Sequence, residues 1–101
     1  MKGSHSISVL QGESKECYIT GIKRGLEKHH IYFGVKNRAV SDKYGFWVWL
    51  TSEFHRGTKG VHGRDGHELD LRLKRECQRE FEKEKSREEF IRLIGKSYLD
   101  D

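Results

Sequence analysis

The chain predicts an α+β domain in which a short β-hairpin leads into a short helix and two further α-helices complete the C-terminal part. Three observations predict it. Phe46-Trp47-Val48-Trp49-Leu50 is the most strongly β-forming run in the sequence. Gly57, Gly60, Gly63 and Gly66 follow in quick succession and confine any helix after that strand to a few residues. Beyond them, His67 to Lys85 contains no glycine and repeats Leu69, Leu73, Cys77 and Phe81 every four residues, one apolar helical stripe.

In chain order, residues 1–13 are polar and Ser/Gly-containing and read as a flexible N-terminal arm, with Ile7-Ser8-Val9-Leu10 able to add an edge strand or dock on the body. Residues 14–101 form a single domain. Glu16 to Thr20 has β-type residues and stops at Gly21, and Gly21 and Gly25 bracket a basic turn. Leu26 to Phe33 reads as the first hairpin strand, broken by Gly34. Residues 35–45 read as a loop or short helical turn closed by Gly45, and Phe46 to Leu50 as the second strand. Thr51 or Ser52 serves as the N-cap of the short helix, with Glu53 in its first turn. Asp65-x-x-Glu68 and Ser86-x-x-Glu89 are capping boxes that open the two C-terminal helices across residues 65–99. In the second of these, Phe90, Ile91, Leu93 and Ile94 face inward and Gly95 marks the end.

With 101 residues, 34% hydrophobic and 36% charged, the core is small. Small cores are often supported by a metal, a disulfide or a partner subunit. Two cysteines allow one disulfide at most, and nothing in their spacing suggests a secreted framework; Cys77 reads as a small core residue. Met1 to Leu10 lacks an apolar run of signal-peptide length, and no later stretch is long enough to span a membrane. The expectation is a protein of a reducing, cytoplasmic compartment. The net charge is +4. The excess sits in residues 14–64, where Lys15, Lys23, Arg24, Lys28, Lys36, Arg38, Lys43, Arg56, Lys59 and Arg64 face only Glu16, Glu27, Asp42 and Glu53. Such a segment suits a phosphate backbone.

The same segment holds four of the six histidines: His29 and His30 at the end of the first strand, and His55 and His62 on or after the short helix. Adjacent strand residues point to opposite faces, so one of His29 and His30 can ligate a metal while the other approaches a substrate. His55 and His62, carried back by the second strand and helix, close the site. Neutral imidazole suits zinc and other first-row metals. His5 and His67 lack this context and read as surface residues. The four glycines read as turns, with a phosphate-binding nest as the alternative. Trp47 and Trp49 read as core and rim, with base stacking as the alternative.

Cys17-Tyr18-Ile19-Thr20-Gly21, Leu26-Glu27-Lys28-His29-His30-Ile31, Leu50-Thr51-Ser52-Glu53-Phe54-His55 and Gly60-Val61-His62 together resemble the core of HNH (ββα-metal, His-Me finger) endonucleases. The glycine-rich stretch from Phe54 to Gly63 is similar to small phage-encoded HNH-like proteins, including the RecA-dependent nuclease group. The resemblance covers residues 15–63. It implies a ββα-metal core with His29, His55 and His62 as metal ligands, His30 as general base, and Asn37, the only asparagine, as the residue that orients His30. It implies a divalent cofactor (Zn, Mg, Mn or Ni), a DNA partner, and hydrolysis of phosphodiester bonds inside a bacterial host cell. The chain departs from the pattern in two places. Thr20 stands where a Cys-x-x-Cys pair would place its second cysteine, and Gly45-Phe46-Trp47 occupies the place of the middle asparagine. These departures keep a second expectation open, a catalytically degenerate HNH-fold module that binds DNA or a bacterial or phage protein. The C-terminal helices also offer a surface for a homodimer.

Overall fold

The computed structural model describes residues 7–100. Its element order is β1 (Leu26–His30), α1 (Val35–Tyr44), β2 (Trp47–Thr51), α2 (Ser52–Arg56), α3 (His67–Phe81) and α4 (Arg87–Ile94). The hairpin, the short helix and the two C-terminal helices are those expected from the sequence, and the α+β class holds. Strands β1 and β2 pair antiparallel, with His29 opposite Val48, His30 opposite Trp47 and Glu27 opposite Leu50. Directly opposed residues share a sheet face. Glu27 and His29 therefore lie with Val48 and Leu50 on the core side, whereas Lys28 and His30 lie with Trp47 and Trp49 on the other.

The core side is sealed by aromatic packing. Phe46 sits 5.5 Å from the Tyr32 ring and 5.6 Å from that of Phe81, and Phe90 lies 5.4 Å from Tyr32. Leu73 and Cys77 of α3 are fully buried in the same cluster, with Phe81 beside them and Leu69 packed against its margin, so the expected four-residue stripe is the buried face. Both cysteines are free thiols, and burial pushes Cys77 up to about 12. Gln78 is buried yet satisfied: its amide donates to Ser97 and Glu82 and its carbonyl accepts the Tyr98 N–H. That network ties the chain after α4 back onto α3.

Several elements differ from the sequence reading. Residues 35–44 form a full ten-residue helix, closed by Gly45 in the left-handed conformation. Its sequence carries few apolar residues, so no helical stripe announces it. The first strand stops at His30, because Ile31 and Tyr32 turn inward and Ser41 Oγ binds the Tyr32 carbonyl. Glu16 to Thr20 is a turn rather than a strand: the Gly21 N–H binds the Cys17 carbonyl. Helix α3 starts at His67 with Gly66 as N-cap, and no Asp65–Glu68 box forms, since the Asp65 N–H is drawn to the Thr58 carbonyl. At Ser86 the N-cap half of the box forms, with Oγ accepting the Glu89 N–H at 3.0 Å. In α4, Phe90 and Ile94 are buried but Ile91 is 39% exposed, one step off the inward face.

The expected arm falls partly outside the description, as residues 1–6 are not among those described. From Ser8 onward the segment is pinned rather than loose. Ser8 Oγ donates to the Trp47 carbonyl, the Trp49 N–H donates to Gln11, and the Tyr18 N–H donates to the Trp49 carbonyl. These contacts cover the outer edge of β2, whose unpaired backbone groups would otherwise invite another strand.

Between α2 and α3 the chain makes a series of tight turns in which the N–H groups of Gly60, Gly63 and Gly66 bind the carbonyls of Gly57, Gly60 and Gly63. Those N–H groups are spent on the turns, so the nest alternative does not apply to them. A β-carbon on Gly63 would meet the Gly57 carbonyl oxygen at 1.8 Å, and one on Gly66 the Gly60 oxygen at 1.6 Å. Gly63→Ala is expected to lower stability by about 1–3 kcal/mol, read by urea denaturation. An unchanged midpoint would show that the turns are not required to pack this closely.

Candidate metal centre

Three histidines from three separate pieces of chain converge. His29 comes from the core side of β1, His55 from the fourth position of α2, and His62 from the glycine-rich turns. The His62 N–H binds the His55 carbonyl and the Val61 N–H binds the Phe54 carbonyl, which fixes the loop against the helix. The imidazole centroids lie 4.9 to 5.2 Å apart, and one nitrogen of each ring lies within 4.8 Å of the others. Three imidazole donors at a zinc distance of about 2.1 Å stand roughly 3.4 Å apart, so small ring rotations close the triangle.

The hydrogen bonding points the same way. His29 is 1% exposed, and both of its ring nitrogens are buried without a partner. Burial without compensation normally costs about 1–3 kcal/mol per group, and native interiors rarely leave both sides of one ring in that state. A metal ion is the partner that such a nitrogen, aimed between two other imidazoles, is suited to hold. His55 is prepared differently. Its Nδ1 lies 2.7 Å from Glu27 Oε1, and Arg56 grips both oxygens of the same carboxylate at 3.0 and 2.6 Å. Glu27 thus orients the ring, leaving Nε2 as the donor toward His29 and His62, the usual carboxylate–imidazole arrangement around metals. The His55 hydrogen bond and the Arg56 guanidinium hold Glu27 below the ordinary carboxylate range.

Desolvation and the neighbouring imidazoles of His55 and His62 push His29 down to about 3. His62 is lowered too, first by partial loss of water and then by His55. Depressed imidazoles remain neutral ligands well below their usual range. No protein-family model, curated protein or solved structure matches this chain.

His30 is not brought to the triad. It points to the opposite sheet face, where its Nε2 lies 2.8 Å from Asp42 Oδ1 on α1. Lys28 reaches the same carboxylate at 3.3 Å. The His30 hydrogen bond is the main reason that Asp42 lies below the ordinary carboxylate range. The expected orienting residue, Asn37, sits on the same helix and makes no hydrogen bond to His30 among the described residues; Asp42 takes that place. His30 nevertheless lines one cleft with the triad. The cleft has a volume of about 390 Å³ and includes Lys28, Phe33 and Arg38.

Glu27 and Asp42 escaped the sequence reading for different reasons. Glu27 stands two residues before His29, so strand alternation alone puts both on one face. Asp42 could be found only by knowing that residues 35–44 are helical and lie beside β1. On the outer face, Trp47 and Trp49 pack edge to face at 5.6 Å beneath the ammonium groups of Lys28 and Lys15, consistent with core and rim.

Two outcomes check the centre. Between its folded value near 3 and its unfolded value near 6.5, His29 binds fewer protons folded than unfolded. Stability is therefore full above pH 6.5 and lost progressively as pH falls toward 3, by an amount on the order of a few kcal/mol. The metal-free protein should lose thermal stability between pH 7 and 5, above the range where carboxylates titrate. His29→Leu should flatten that slope without lowering stability at pH 7. A slope unaffected by the substitution would remove His29 as its source. Saturating zinc should raise the melting temperature of the wild type and leave that of His29→Leu unchanged, as measured by calorimetry.

Proposed function

We propose that this chain is a metal-dependent hydrolase of DNA phosphodiester bonds, built on the HNH (ββα-metal) plan that its sequence resembles. The observation that carries this reading is the placement of a three-histidine metal site and a carboxylate-held fourth histidine on one cleft. The chemistry that a divalent ion supplies in such a site is stabilisation of the charge that develops on a phosphodiester and its departing oxygen.

The chain's own groups have separable tasks. His29, His55 and His62 hold the ion, with His55 fixed by Glu27. In the neutral ring of His30, an Nε2–H donated to Asp42 leaves the Nδ1 lone pair to take a proton from an attacking water. Asp42 then stabilises the imidazolium that forms, as the orienting carboxylate of a base does. Lys28 and Arg38 line the same cleft and supply positive charge for the flanking phosphates.

The second reading, a DNA-binding module without turnover, is favoured by the position of Asn37, which leaves the middle position of the HNH pattern without a counterpart at His30. Plasmid incubated with the protein and Mg, Mn, Ni or Zn separates the two. Nicked or linear product is expected, and His30→Ala should lower its rate by about 10²–10⁴-fold while zinc-induced thermal stabilisation persists. Asp42→Asn should give a smaller loss. Salt-dependent DNA binding with no product under any metal would establish the silent module, and full activity in His30→Ala would remove His30 as the base.

A further inference from the structure

Two of the three candidate ligands are held unequally. A metal-bound imidazole normally donates its other N–H to a carboxylate, a carbonyl or water. His55 has Glu27 for this, but the His62 ring makes no hydrogen bond among the described residues. Close by, the first turn of α3 carries Asp70. One of its oxygens, Oδ2, is bound by the Lys74 ammonium at 2.9 Å. The other, Oδ1, is buried and has no partner. The pair is largely withdrawn from water, with side chains 12% and 14% exposed.

The pair is also contiguous with the triad. Lys74 sits over the Phe33 ring at 4.4 Å, and that ring lies 5.3 Å from His62 and 6.1 Å from His29. A buried carboxylate oxygen without a donor and a candidate ligand ring without an acceptor thus lie on one side of the site. The buried oxygen is in an unfavourable state by itself, and one contact with the solvent-exposed His62 ring resolves it.

We infer that Asp70 is the outer carboxylate of the metal site, accepting the N–H of His62 through Oδ1 while Lys74 holds Oδ2. The inference rests on the reading of His29, His55 and His62 as metal ligands and gives their site its second anion. Three neutral imidazoles bring no charge to a divalent ion, so Glu27 and Asp70 are the carboxylates that offset it. Asp70 and Lys74 both lie close enough to His62 for their charges to act on its ring. Lys74 has a double effect: it positions the carboxylate and also places a positive charge beside the ion.

The two residues therefore predict opposite effects, which loss of packing cannot produce. Zinc affinity is measured by competition with a chromophoric chelator, on full-length protein, with the melting temperature of the metal-free form recorded for each variant. Asp70→Asn, which keeps the shape, should weaken zinc binding about 10–100-fold. Lys74→Met should tighten it about threefold or more by removing a like charge. Asp70→Asn within threefold of wild type, or Lys74→Met weakened like Asp70→Asn, overturns the inference. If Asp70→Asn does not fold, Lys74→Met decides alone, with tightening in support and weakening against. His29→Ala and His55→Ala are run alongside. A wild type that takes up no zinc, or these variants binding as tightly as wild type, removes the triad itself; intact triad behaviour with an indifferent Asp70 removes only this inference.

Discussion

A histidine that is 1% exposed with neither ring nitrogen hydrogen-bonded is held in the interior by everything around it, and His29 is in that state. Its position follows from the strand. Leu50 and Val48 face the core across the hairpin, and strand alternation carries His29, opposite Val48, to the same side. Water is excluded there by the packing that stabilises the domain, so the ring must stay neutral, and its pKa falls to about 3. Neutral, desolvated and aimed between two other imidazoles, it has the properties of a ligand and few properties of an ordinary core residue.

The elements around His29 serve this convergence in recognisable ways. Helix α2 begins directly after β2, so His55 reaches back over β1 and meets Glu27 on the same sheet face as His29. The loop that brings His62 closes only because glycines let one backbone segment lie directly on another. The N-terminal segment has a different task. By hydrogen-bonding to Trp47 and Trp49 it protects the open edge of a sheet only two strands wide. Such a hairpin is marginal unless something packs on it. Here helices α3 and α4 supply that support through Phe46, Phe81 and Phe90.

The parts that were legible in the sequence are those fixed by local chemistry or by regular repetition. The β-forming run at 46–50, the four-residue stripe of α3 and the Ser86 cap belong to that kind, whereas the gathering of His29, His55 and His62 is a tertiary convergence that only the resemblance made legible. Helix α1 was not legible because its few apolar residues form no stripe, and its ends are set by Gly34 and Gly45 without a side-chain cap. Asp42 went with it, and Asn37, the only asparagine, takes the orienting role from the resemblance alone, on a stretch whose sequence reads as a loop or short helical turn. The Asp65–Glu68 box was a valid local signal that lost to a tertiary contact, the Asp65 N–H to the Thr58 carbonyl. Asp70 and Lys74 carry no local signal at all. An i,i+4 acid–base pair on a helix is usually solvated, and only burial beside Phe33 distinguishes this one.

Two consecutive histidines thus acquire unlike properties from one geometric rule. Strand alternation sends His29 to the dry side, where it is stripped of hydrogen bonds, and His30 to the wetter side, where Asp42 holds it. A group that must bind a metal needs a lone pair available and competitors excluded. A group that must exchange protons needs a carboxylate behind it and access to water. The hairpin provides both environments one residue apart, at the end of the strand where a single cleft opens onto each. Either histidine alone is compatible with a structural role. Their joint arrangement, with a separate carboxylate for His55 and for His30, is what a stable core would not require and what the proposed metal-assisted reaction would use.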